Sequence, residues 1–200
     1  MRAVLSAARD LPPAGGLRPA TCATLFGLLW ATGLRIGEAL SLQVGDLDHV
    51  DHVLTVRRGK FGKSRILPLR ESTVAAIQRY LRHPRRQLGR AMEAPIFVSQ
   101  RQRRLSHPAA AVALAQACSA AGIVGRVRLH DLRHTFAVQR VATWYSTRCD
   151  LHALLPALST YLGHVSVENT RTYLRANGLL LEPACRRFET STAGLDEVLP

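Results

Sequence analysis

No two of the four cysteines lie close together: Cys22, Cys118, Cys149 and Cys185 are separated by 31 to 96 residues. The missing CxxC spacing excludes the common zinc and dithiol motifs and leaves reduced, packed thiols of a cytosolic protein as the expectation. Long apolar runs are also lacking. The most hydrophobic stretches, residues 24–34 and 109–118, fall well short of the ~20 residues that span a bilayer, and no secretory leader is recognised. A membrane-surface role would need an amphipathic helix with a basic face, and none is found. Internal repeats and low-complexity tracts are absent, which removes solenoids and arrays. Acidic residues are scarce, 14 against 27 Lys and Arg, so the formal charge is +13 and the pI about 11.1. Such a balance suits a protein that sits on a polyanion, although the Ala, Arg, Gly and Leu bias of a GC-rich genome would produce part of it.

With 200 residues and 47% apolar composition, one well-packed domain is expected. A helical pattern over residues 1–9 ends at Leu11-Pro12-Pro13-Ala14-Gly15-Gly16, a loop. An apolar helix over 20–31 stops at Gly33, and a second begins with Arg35, at a helix start where backbone N–H groups face outward. The period then changes. Residues 53–56 and 65–69 are β-rich, with a shorter run at His49-Val50, which predicts a small antiparallel sheet. The turn Arg57-Arg58-Gly59-Lys60-Phe61-Gly62-Lys63-Ser64 sets several cations on a hairpin tip. Helices are expected over 72–82, 106–121 with Ser106 as N-cap, 130–145, 150–162, 167–176 and 181–188. The Arg-rich stretch 82–104 is poorly periodic and is expected to be a solvated surface loop. The fold class is therefore α+β, mainly α, with a three-stranded antiparallel sheet near the N-terminal third.

Five local patterns carry chemistry only in combination, because each has an ordinary structural explanation alone. In Thr32-Gly33-Leu34-Arg35-Ile36-Gly37-Glu38, Arg35 and Glu38 lie three apart on one helical face, the spacing of a salt bridge. The basic hairpin, ending in Arg65, is the second. In His130-Asp131-Leu132-Arg133-His134, His130 and Arg133 stand at i and i+3 and can donate to one anion. Tyr161-Leu162-Gly163-His164 ends a helix at a glycine. Thr170-Arg171-Thr172-Tyr173 places a tyrosine nine residues beyond His164.

In this order the patterns resemble the catalytic signature of the tyrosine recombinases, the phage-type integrases: Arg, a hairpin Lys, His-x-x-Arg, Leu-Gly-His, Tyr. The resemblance covers about residues 20–188. It implies an integrase-like catalytic core that cuts and rejoins DNA through a 3′-phosphotyrosine bond, with no metal, ATP or other cofactor. Carried over residue by residue, Arg35 and Arg133 would bind the nonbridging phosphate oxygens, where a planar guanidinium can donate in pairs. His130 and His164 would donate to the same phosphate and assist proton traffic, Lys60 would protonate the leaving 5′ oxygen, and Tyr173 would be the nucleophile. Lys63, three residues from Lys60 on the same turn, is the alternative acid. Glu38 would orient Arg35 or another site residue, Tyr145 and Tyr161 would be packing residues, and Arg58, Lys63, Arg65, His134 and Arg171 are candidate DNA contacts.

The same resemblance implies double-stranded DNA as partner, dimers or tetramers of this chain on that DNA, no membrane, and a cytoplasmic location. Residues 1–188 would form the catalytic domain and 189–200 a tail. Family members carry a DNA-clamping helical domain ahead of the catalytic one, and its absence before Ala20 is the chief departure from the pattern. Two other readings share the residues: a non-catalytic DNA-binding remnant, and a type IB topoisomerase. Retention of all six positions argues against the first, and the Leu-Gly-His element against the second.

Overall fold

The computed structural model describes residues 1–57, 64–88, 91–147 and 149–163. They fall into two compact units, Met1–Arg133 and a second beginning at His134.

The first unit is organised around a helix that is apolar on nearly every side. Helices α1 (Arg2–Arg9), α2 (Leu17–Thr32) and α3 (Ile36–Ser41) lead into a three-stranded sheet of β1 (Leu47–Asp48), β2 (Val53–Val56) and β3 (Arg65–Pro68); α4 (Glu71–Leu81) and α5 (His107–Ala120) follow. Leu17, Cys22, Leu25, Phe26, Leu28 and Leu29 of α2 are all buried, as expected of a helix with no polar face, and α1, α4 and α5 pack around it. This helix begins at Leu17, earlier than the expected Ala20, because a first-turn N–H needs no intrahelical acceptor and Pro19 therefore fits there. Cys22 and Cys118 are packed in this unit, burial pushing the Cys22 thiol up to about 11, whereas Cys149 is exposed. Cys185 lies outside the described residues.

The sheet is antiparallel in the order β1-β2-β3, with Leu54 opposite Leu67 and Val56 opposite Arg65. Its first strand is Leu47–Asp48 and not His49-Val50. The reason is the Asp48 carboxylate, whose Oδ1 accepts the backbone N–H groups of Val50 (2.9 Å) and Asp51 (3.0 Å) and bends residues 49–52 into a turn. Leu54, Val56 and Leu67 point into the core, and Ile66 points outward.

The stretch 82–104 is not a solvated loop throughout: most of its described residues are exposed or half-buried, but residues 96–98 enter the core. Ile96, Phe97 and Val98 are wholly buried, and bridges Gln43–Pro95 and Val98–Arg104 stitch the segment to its surroundings. Phe97 stacks on Tyr80 with ring centroids 5.9 Å apart, and the Tyr80 hydroxyl accepts the Val98 N–H at 3.1 Å. Arginines on either side obscure the run Ala94-Pro95-Ile96-Phe97-Val98, which is short, β-prone and has the composition of a buried strand.

Helix α6 (Leu129–Ser146) starts in the first unit and supplies much of the second, with α7 (Leu151–Leu162). Within the second unit, Phe136, Ala137, Val138 and Val141 of α6 form a core with Leu155, Leu158 and Leu162 of α7. Tyr161 stacks on Phe136 at 5.8 Å between centroids, so it is a packing residue there. The helices expected over 167–176 and 181–188 lie outside the described residues. Among those described, no helix is long and apolar enough to cross a membrane.

Because Phe97 is fully enclosed, Phe97→Ala should lower the unfolding free energy by about 3–5 kcal/mol. Urea denaturation measures this, and a loss under about 1 kcal/mol would return the segment to the surface.

Candidate active site

The site residues of the first unit are placed by helix ends. Gly33 closes α2 in the left-handed conformation (φ +64°), its N–H reaching Leu29 O at 2.8 Å, a geometry that glycine adopts without steric cost. The chain reverses there, and two residues later Arg35 takes the N-cap position of α3 in an extended conformation. Its backbone N–H donates to Oε2 of Glu38 (3.0 Å), while its Nη1 donates to Oε1 (3.0 Å). Side chain and main chain of Arg35 are thus held by one carboxylate.

A second arginine grips the same group. Arg65, the first residue of β3, donates from Nη1 to Glu38 Oε1 (3.0 Å) and from Nη2 to Oε2 (2.8 Å), a bidentate pair. Glu38 is 8% exposed, Arg65 15% and Arg35 27%, so the carboxylate is enclosed while the Arg35 side chain still reaches solvent. Burial alone would push the Glu38 carboxyl up. The Arg65 hydrogen bonds, the Arg35 backbone bond and the two positive charges outweigh it and hold the group below the ordinary carboxylate range.

Arg133 approaches the same turn from the start of α6. It is 1% exposed, and its Nη1 donates to the carbonyl of Gly33 at 2.7 Å, two residues before Arg35 in the chain. The helix start that positions it is locked by Asp131, whose carboxylate accepts the Arg128 N–H (2.8 Å) and Arg128 Nη2 (3.2 Å). Burial opposes the Asp131 charge, but the Arg128 hydrogen bonds together with the Arg128 and His130 charges lower its pKa on balance. His130 stands one turn before Arg133 and is exposed. At the C-terminal end of α3, Arg104 donates to Leu40 O, and Ile96 N–H bonds to Leu42 O at 3.0 Å; the 94–98 segment, buried at 96–98, thereby fixes α3 from behind.

Sequence-level candidates Arg35, Glu38 and Arg65 therefore meet, and Arg133 is anchored to the turn that presents Arg35. In the sequence Arg65 stands out only as a hairpin cation; period-two alternation in β3, which places it on the same face as the buried Leu67, is the signal that could have found its inward direction. In the second unit, His134 is half-buried on α6, and Gly163 follows α7 in the left-handed conformation (φ +65°). Arg58, Lys60, Lys63, His164, Arg171 and Tyr173 lie outside the described residues.

A model of the phage integrase family matches residues 5–178. This chain belongs to the phage integrase family. Its relatives include a Sinorhizobium fredii protein named as an integrase/recombinase, y4rB, which is 40% identical over 195 residues, covering 93% of this chain and 62% of that one. The tyrosine recombinase XerC of a Roseiflexus species is 36% identical over 157 residues, covering 76% of this chain and 47% of its own length. The chain thus spans about half to three-fifths of these curated relatives. Among solved structures, XerA recombinase superposes with a TM-score of 0.72 at 27% identity, over 95% of this chain and 62% of that one. A lambda integrase dimer bound to a core site shares the fold at 19% identity, with a TM-score of 0.61, over 86% of this chain and 45% of that one. The mainly helical architecture with one small antiparallel sheet is that of the integrase-family catalytic domains.

In this integrase-family site, Glu38 makes stability pH-dependent. Its folded pKa lies below the unfolded value, so its contribution is fully present above about pH 4.3 and is lost as pH falls through the lower folded value. Glu38→Gln should cost roughly 3 kcal/mol at neutral pH, since two guanidinium groups lose their counter-charge. The gap between the wild type and Glu38→Gln, followed by urea denaturation, should narrow from pH 5 to pH 3. A constant gap across that range would refute the ionic role.

Proposed function

We propose that this chain catalyses site-specific DNA recombination or integration, breaking and rejoining DNA through a 3′-phosphotyrosine bond. The observation that supports this most strongly is the convergence of Arg35, Glu38 and Arg65, with Arg133 anchored to the same turn, in a chain of the phage integrase family. Two guanidinium groups, Arg35 and Arg133, would bind the nonbridging oxygens where negative charge accumulates during in-line attack. Tyr173 would attack phosphorus through its phenolic oxygen while the 5′ oxygen of the neighbouring nucleotide departs. Lys60, or Lys63 on the same turn, would give the leaving oxygen its proton. His130 and His164 would donate to the phosphate and relay the proton lost by the phenol, whose ordinary pKa of about 10 calls for cationic neighbours. The phosphotyrosine linkage keeps the bond energy, so a second 5′ hydroxyl reverses the step without ATP.

Residues 1–188 would form the catalytic domain and 189–200 a tail. The partner would be double-stranded DNA, held with Arg58, Lys63, His134 and Arg171 as further contacts, in dimers or tetramers of this chain, in the cytoplasm and away from membranes. The family, the XerC relative and the XerA likeness support this reading, as does the charge of +13.

Incubation with nicked random-sequence duplexes at low salt, followed by denaturing electrophoresis, should give a covalent protein–DNA band with the wild type and none with Tyr173→Phe. A band that survives Tyr173→Phe would move the nucleophile elsewhere, and no band with the wild type would contradict catalysis by this chain.

A further inference from the structure

The cations of the β2–β3 hairpin invite one common assignment, contact with DNA. The geometry separates Arg65 from that group. Its side chain is 15% exposed, it lies on the inward face of β3 beside Leu67, and its planar edge is spent on both oxygens of Glu38. We propose that Arg65 is a positioning residue for Arg35: by clasping Glu38 from the opposite side, it fixes the carboxylate that holds the Arg35 guanidinium and backbone.

The physical basis is rotational. A carboxylate turns readily about the single bond that carries it. Here four donors, two from Arg65 and two from Arg35, divide evenly between its oxygens. With Arg65 removed, both remaining donors among the described residues belong to Arg35, the group being positioned, and neither sets the plane independently. Arg65 is itself anchored by strand pairing, opposite Val56 in the β2–β3 ladder, so the reference it gives is a sheet and not a flexible side chain. Lysine cannot replace it, because an ammonium is a single point donor without the planar fork. Misplacement of about 1 Å at a reacting phosphate costs on the order of a hundredfold in rate.

This proposal rests on the phosphate-binding role of Arg35. Its test therefore uses the full chain and a duplex whose cleaved linkage has first been mapped with the wild type. On the ordinary phosphodiester, Arg65→Lys should slow cleavage roughly ten- to a hundredfold while leaving DNA affinity and its salt dependence within about twofold. Glu38→Asp, which shortens the carboxylate by one methylene, provides a second variant acting on the same link and should behave alike. The deciding substrate carries a methylphosphonate at the cleaved position, where one nonbridging oxygen and its charge are gone. There, Arg35 has less charge to stabilise, and the defects of Arg65→Lys and Arg35→Ala should both shrink to within about threefold of wild type. Adding Arg65→Lys to Arg35→Ala should likewise change the rate by less than about threefold, because the two act as one.

The proposal is overturned if the Arg65→Lys defect persists on the methylphosphonate, if it multiplies with Arg35→Ala, or if it is a loss of DNA affinity with a shallower salt dependence, the mark of a direct contact. If Arg35→Ala cleaves the ordinary phosphodiester as fast as wild type, the phosphate-binding role of Arg35 fails first, and that outcome is distinct. Circular dichroism melts confirm that the compared variants are folded.

Discussion

A carboxylate enclosed by two guanidinium groups is the constraint on which the active-site side of the first unit depends. Placing Glu38 at 8% exposure is unfavourable unless its charge is met. It is met by the first residue of a strand and the residue that caps a helix. Sheet and helix are consequently fixed to each other at the point where Arg35 emerges. Under the proposed function, Arg35 would have a fixed origin and a restricted direction before any phosphate arrived, so little reorganisation would remain for the reaction.

Backbone groups extend the same arrangement. The left-handed Gly33 ends α2 and turns its carbonyl toward Arg133, a residue a hundred positions later. That hydrogen bond ties the start of α6 to the turn before Arg35 and brings the two arginine-bearing segments together through the main chain. The 94–98 segment, buried at 96–98, completes the support, pairing with the residues after α3 while Arg104 caps the last turn of α3. Among the described residues, the fold meets the mutual repulsion of Arg35, Arg65 and Arg133 with the Gly33 carbonyl and the Glu38 carboxylate.

Much of this was legible in the sequence where a local rule applies. Gly33 as a helix stop, Arg35 as a helix start, Ser106 as the N-cap of α5 and the i, i+3 pairing of Arg35 with Glu38 all follow from short-range geometry, and the structure contains each of them. Non-local interactions were hidden. The run 94–98 read as surface because arginines flank it, although Phe97 is buried against a tyrosine of α4. Arg65 read as a hairpin cation because its partner lies 27 residues earlier, and only strand alternation hinted that it pointed inward. The short strand β1 was displaced by two residues because a side-chain cap at Asp48, not β-propensity, decides where the turn begins.

The most direct test of the account is the chemical position of the covalent bond. After reaction with DNA, nuclease trimming and tryptic digestion, mass spectrometry should find the nucleotide on the peptide from Thr172 to Arg175, attached to Tyr173. A nucleotide on Tyr145, Tyr161 or any other residue would contradict the proposed mechanism, whatever the fold.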